Sequence, residues 1–181
     1  MKYHVYDLEV NKAYVKELCE ANKIDIYLIV ERCYRRYKDT YYCTKVYLKT
    51  DQGQCFHIEG ITENFGAFKD EEFSIIIEKG WPDFEIHEKE NGKSIIFRDE
   101  NLEDTSKLFL FDTFINEEGS SIEVKRSTEE FLNIYPVKVD KGLLFTRNDE
   151  SIFIGLDYAP LVIMATKDPE YINELKKWWD E

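Results

Sequence analysis

Apolar and polar positions along this chain alternate more often than they follow a helical period, and the clearest exceptions lie near its two ends. Asn11 can cap a helix whose apolar positions Tyr14, Val15, Leu18 and Cys19 recur at helical spacing, with Asn22 suited to the left-handed residue that closes it; a helix is predicted over 12–21. Two partly alternating runs follow, Ile24 to Glu31 and Tyr42 to Thr50. Asp51-Gln52-Gly53 then turns the chain into a further strand from Cys55 to Glu59. Gly60 to Glu72 contains two glycines, several charges and no sustained period, so it reads as a loop or short helix, and Phe73 to Lys79 resumes as a strand.

Asn91-Gly92, between Phe84 to Glu90 and Lys93 to Arg98, is a strong hairpin signal because both turn positions favour positive φ. A second hairpin is expected to join Leu108 to Ile115 with Ser121 to Arg126 through Glu117-Glu118-Gly119. Ser127-Thr128-Glu129-Glu130 has the form of a capping box and predicts a short helix ending before Pro136. Four short strands follow, Val137 to Asp140, Leu143 to Arg147, Ser151 to Leu156 and Leu161 to Ala165. Asp168-Pro169-Glu170 then opens a last helix carrying Tyr171, Ile172, Leu175, Trp178 and Trp179. Strands joined by short turns argue for antiparallel pairing. The expected fold is α+β, a mainly antiparallel sheet of short hairpins with an N-terminal helix, a short middle helix and a C-terminal helix packed on it, as a single domain over 1–181.

Composition removes one alternative to this picture. The chain carries 24 Lys+Arg against 37 Asp+Glu, a formal charge of −13, which in an apolar-poor chain would predict disorder; 43% hydrophobic and 15% aromatic residues supply a core instead. The opening Met1-Lys2-Tyr3-His4 has no apolar leader and no run is long enough to span a bilayer. The four cysteines, Cys19, Cys33, Cys43 and Cys55, contain no C-x-x-C. A cytoplasmic protein with reduced thiols is expected.

Motifs for chemistry are fragmentary. Tyr6 to Val10 holds the Asp7-Leu8-Glu9 pair and resembles the first acidic motif of the DnaQ-like exonucleases over five residues, although a helix follows where that family continues with a second strand. Pro82-Asp83 with Glu123-Val124-Lys125 has the residue types of the Pro-Asp, Glu-x-Lys nuclease signature, with a predicted hairpin between the halves. Gly92-Lys93-Ser94 lacks the first glycine of a phosphate loop, and Asp99 to Asp104 lacks the glycine and terminal glutamate of a calcium loop. Cys55, His57 and Glu59 share a strand face and offer S, N and O donors, but three ligands on one strand rarely converge without a fourth from elsewhere. A polar outer face is expected there, and no catalytic residue, cofactor or metal is assigned.

Charge distribution carries more. Seven acids stand against one base from Asp99 to Glu118, and Asp99, Glu100, Glu103, Asp104, Glu117 and Glu118 are candidate partner-binding acids. Glu31 to Lys49 runs against the trend at +4, and its Arg32, Tyr34, Arg35, Arg36, Tyr37 and Tyr41 form a candidate basic-aromatic anchor. An acidic surface repels nucleic acid and anionic membranes and attracts basic grooves. The expected partner is therefore a basic protein, with no direct nucleic acid or membrane contact; no oligomeric state is assigned. The function expected is non-enzymatic: an acidic protein that neutralises a larger basic, nucleic-acid-acting protein by mimicking nucleic acid, as an immunity protein or phage-type anti-defence inhibitor does. The alternatives are a small metal-dependent nuclease or phosphoesterase, and a small-ligand domain with a cleft lined by Tyr and Phe.

Overall fold

The structure is a computed structural model that describes residues 6–29, 33–65, 70–81, 84–89, 92–97, 107–131, 135–156 and 162–180. In chain order the elements are β1 (Tyr6–Leu8), α1 (Lys12–Glu20), β2 (Lys23–Ile29), β3 (Cys33–Tyr37), β4 (Thr40–Cys43), β5 (Lys45–Thr50), β6 (Cys55–Phe65), β7 (Asp70–Lys79), β8 (Phe84–Lys89), β9 (Gly92–Phe97), β10 (Lys107–Ile115), β11 (Ser121–Phe131), β12 (Tyr135–Arg147), β13 (Glu150–Leu156), β14 (Ile163–Thr166) and α2 (Pro169–Leu175), with a 3-10 turn at Lys176–Trp178. They form two seven-stranded sheets. Sheet I runs β7-β6-β5-β2-β10-β9-β8, all antiparallel. In sheet II the order across is β12-β13-β14-β4-β3; β11 follows β12 along its length, and the short β1 pairs in parallel with residues 137–139 of β12.

Alternation on these strands is satisfied by packing the sheets face to face. Ile24, Ile26 and Leu28 of β2, Val46 and Leu48 of β5 and Phe56 and Ile58 of β6 meet Leu143 and Phe145 of β12, Ile152 and Ile154 of β13 and Ile163 of β14 in one buried cluster. The chain passes from β4 in sheet II to β5 in sheet I through Thr44 alone, with Cys43 and Val46 both in that core. Asn11 caps α1 by accepting hydrogen bonds from the backbone N–H groups of Ala13 and Tyr14. The helix lies against β7 of one sheet and β11 of the other and inserts Leu18 between them. Asp168 caps α2 in the same way, and Ile172, Leu175 and Trp179 cover the outer face of sheet II over Leu144, Phe153 and Met164.

The three-helix α+β expectation is overturned. Among the described residues the fold is a mostly antiparallel pair of sheets with two short helices. The residues of the capping box belong to β11, where Ser127 pairs with Val139 and Glu130 with Pro136. The Thr128 N–H and hydroxyl donate to the Asp180 carboxylate at 3.0 and 2.7 Å, so Thr128 serves the strand edge rather than a helix cap. The Asp180 N–H in turn donates to the Arg126 carbonyl at 2.7 Å, covering part of an otherwise unpaired edge. Pro136 lies near the start of β12, where a missing N–H is tolerated.

The stretch from Gly60 to Glu72 is largely strand as well, since β6 and β7 extend to a pairing of Phe65 with Asp70. Finally, β10 and β11 are not a hairpin. The turn at Glu117 to Gly119 carries the chain between sheets, with Gly119 at φ +86°, so β10 pairs with β2 and β9 while β11 pairs with β12.

Candidate functional site

The Asp7-x-Glu9 pair is committed to an arginine. Arg126 donates through Nη1 to Asp7 Oδ1 at 2.8 Å and through Nε to Asp140 Oδ1 at 2.7 Å, and its Nη2 lies 3.2 Å from Glu9 Oε1. Asp140 is 3% exposed, and its second oxygen accepts the Val10 N–H at 2.8 Å. A bulge in the β11–β12 ladder produces this arrangement: Lys125 opposes Gly142 while Arg126 opposes Asp140, leaving Lys141 as the extra residue. Lys141 reaches across to Glu72 on β7 at 3.2 Å. Lys12, 2.7 Å from Glu9, and then Arg126 hold the Glu9 carboxyl below its usual pKa; the Asp140 hydrogen bond leads the rise of Arg126 above its own.

The second nuclease set is similarly engaged where it is described. Glu123 pairs with Lys125 and accepts the Ser121 hydroxyl at 3.2 Å, and the Lys125 bond leads the lowering of its pKa. Asp83 lies outside the described residues, as do Asp99, Glu100, Glu103 and Asp104 of the acidic stretch and Arg32 of the basic-aromatic stretch. Tyr34, Arg35, Arg36 and Tyr37 lie on β3, paired with β4 at the edge of sheet II, with Arg35 exposed. Tyr41 is half-buried, its ring 5.4 Å from Phe109 and 5.8 Å from Phe111.

One end of the sandwich gathers acids that are distant in sequence. Asn116 ties the crossover to the end of α1: its N–H donates to the Asn22 carbonyl at 2.8 Å and its side chain to Cys19 and Ala21. Asp51, in the β5–β6 turn, accepts from the N–H groups of Asn22 and Lys23 and from the Asn22 side chain. The register of Ser121 opposite Thr146 brings the β12–β13 turn to the same end. Glu20, Asp51, Glu117, Glu118, Asp149 and Glu150 are thus exposed together. Glu20 and Glu150 answer Lys16 and Arg147, while among the described residues Asp51, Glu117, Glu118 and Asp149 have no ion-pair partner. A cleft of about 370 Å³ opens beside this end over Phe114, Phe145 and Ile152; its cations are already paired, Lys167 with Asp112 at 3.0 Å and Arg147 with Glu150 at 3.1 Å.

The bond from the Asn22 side-chain amide first, and then those from the backbone N–H groups of Lys23 and Asn22, hold the Asp51 carboxyl below its usual 3.8. A carboxyl group depressed by folding contributes stability that is present above its unfolded pKa and lost as pH falls through the folded one. Asp51→Asn is therefore expected to flatten the fall in unfolding free energy below pH 3.8. Urea melts at stepped pH read this directly; an acid slope equal to that of the unsubstituted protein would mean that the bonds do not hold the turn.

The outer face of sheet I carries a different grouping. His57 and Glu59 project from the same face of β6, and the β6–β7 register sets Glu78 directly opposite His57. His57 Nε2 lies 3.6 Å from Glu59 Oε1 and 3.5 Å from Glu78 Oε2, and Lys45 meets the other Glu59 oxygen at 2.8 Å. Burial, reinforced by Lys45, pushes the His57 pKa below 6.5 in spite of the two carboxylates. Cys55 stands apart: its thiol turns to the Gly53 carbonyl at 3.7 Å, and burial raises its pKa. The sequence holds the first two members of this group; the third needs the strand register. Among the described residues no helix is long and apolar enough to cross a membrane. Comparison with known protein families, curated proteins and solved structures finds no match for this chain.

Proposed function

We propose that this chain is a non-enzymatic, acidic binding protein of the cytoplasm that neutralises a larger basic protein acting on nucleic acid, in the manner of an immunity protein or a phage-type anti-defence inhibitor. The observation that carries the reading is the acidic end of the sandwich, where turns from both sheets and the end of α1 present exposed carboxylates on a hydrogen-bonded frame. The hydrogen bonds hold the backbone that carries these acids, and the summed field of the acids steers a basic groove toward them. The engagement of Asp7, Glu9 and Glu123 by cations of the chain itself weighs against the nuclease alternative, which requires carboxylates free to hold metal. The cleft's paired cations likewise give an anionic small ligand little to bind.

The test is capture from native-host lysate at low and high salt on the immobilised protein and on a Glu117→Lys/Glu118→Lys variant, followed by assay of the retained protein on nucleic acid. The expected result is one basic protein, held at low salt, weakened at high salt, lost by the variant, and inhibited by the unsubstituted chain. Equal retention on both baits, no retention on a folded bait, or a retained protein whose activity is unaffected would overturn the reading.

A further inference from the structure

We propose that His57, Glu59 and Glu78 form a binding site for a divalent transition-metal ion, zinc or a close analogue, on the outer face of sheet I. One ligand atom from each residue lies within 4.8 Å of the others. The spacings from the imidazole to the two carboxylates, 3.5 and 3.6 Å, are long for N–H···O bonds, which cluster near ~2.9 Å. They fit the edge of a coordination tetrahedron: donors at about 2.1 Å from zinc stand roughly 3.4 Å apart. His57 Nε2 is buried and has no hydrogen-bond partner, a condition native proteins rarely leave standing. A metal ion between the three groups would satisfy it.

The surroundings support the same assignment. The His57 side chain is 13% exposed. A Cβ on Gly80 would come within 3.2 Å of its Nδ1, so the ring lies close against the Gly80 backbone, and the Tyr47 ring flanks it at 6.2 Å. The Lys45 bond to Glu59 Oε2 orients that carboxylate with Oε1 toward the imidazole, as outer-shell partners do for metal ligands. A neutral imidazole is the ligand form. Glu78, 58% exposed, leaves the outward side open, so a water or a donor from another molecule completes the coordination. An imidazole nitrogen with two carboxylate oxygens suits Zn²⁺ or Co²⁺ better than Mg²⁺ or Ca²⁺, which take oxygen donors.

The experiment is a titration of Co²⁺ and of Zn²⁺ into chelator-stripped protein, followed by calorimetry and, for Co²⁺, by visible absorption. The expected result is one ion per chain, the intense visible bands of four-coordinate Co²⁺, and their loss on adding Zn²⁺ while Mg²⁺ leaves them unchanged. Glu78→Gln, an isosteric change at an exposed position, is expected to weaken Zn²⁺ binding by about tenfold or more with the melting temperature in chelator unaltered, and His57→Gln to abolish it. Absence of binding by the folded protein, or binding that both variants retain at full strength, would overturn the site. The titration needs no partner, so its outcome is separate from that of the inhibitor reading.

Discussion

Arg126→Ala is expected to lower the unfolding free energy by about 3 kcal/mol, measured by urea denaturation followed by circular dichroism. Removing one member of a buried ion pair costs about 3–5 kcal/mol because it strands the other charge, and a guanidinium 25% exposed places this case at the lower end. The stranded group is Asp140, which keeps only the Val10 N–H on its second oxygen. Asp7 and Glu9 lose their shared cation at the same time, leaving three carboxylates close together. Arg126→Lys is expected to recover only part of the loss, since an ammonium on a flexible stem cannot match a planar fork directed at three acceptors. Pairing Arg126→Ala with Asp140→Asn should cost less than Arg126→Ala alone: the amide can still accept from Val10, and the buried charge is gone. A single variant within about 1 kcal/mol of the unsubstituted protein would mean that water replaces the guanidinium, and that the cluster is surface decoration.

The same cluster shows where the sequence is legible and where it is not. Asp7-x-Glu9 is a visible pair, and its alternation does place two carboxylates near one another, yet their ligand is a guanidinium 119 residues away in Arg126. No local pattern announces a contact of that separation, so the sequence alone offers a five-residue resemblance to a metal motif and gives no sign of the arginine. The caps behave differently because their physics is local. Asn11 and Asp168 each accept from backbone groups two and three residues on, and the two helices begin where the sequence places them. Ser127 to Glu130 carries a similar local signal and yields a strand, because its backbone pairs along β12 and the Asp180 carboxylate takes the Thr128 N–H and hydroxyl, while the Ser127 hydroxyl that would make the cap has no hydrogen-bond partner among the described residues.

Charge in Gly60 to Glu72 hid a strand pairing for a related reason. Glu63 lies opposite Glu72 and Asn64 opposite Glu71, and Lys141, brought over by the bulge in the other sheet, neutralises the buried Glu72. For the candidate metal site the sequence supplies His57 and Glu59 on one face and suggests Cys55; only the register supplies Glu78.

Phe153→Ala should cost about 3–5 kcal/mol and should loosen the C-terminal helix before the sandwich itself opens. The ring is fully buried on the outer face of sheet II, with its centroid 5.0 Å from that of Trp179. It also fills the space that two cross-strand glycines leave vacant: a Cβ on Gly142 or Gly155 would fall 2.6 Å from its ring atoms. Truncation therefore opens a cavity between helix and sheet and uncovers a backbone pair that has no side chains of its own. A seven-residue helix has little stability apart from its packing, and α2 is held by Ile172, Leu175 and Trp179 on this surface. The Asp180 tie to β11 and the Lys125 ammonium, 5.7 Å from the Trp179 ring, remain, so the segment should fray rather than detach. The expected signature is a red-shifted tryptophan emission and faster amide exchange over 169–179 under conditions where the inner strands stay protected. Phe153→Leu, which keeps most of the volume over the glycines, should lose only about 1 kcal/mol. If Phe153→Ala unfolds in one step with no early exchange in α2, the helix and sheet II form a single cooperative unit, and the ring's role lies in the sheet alone.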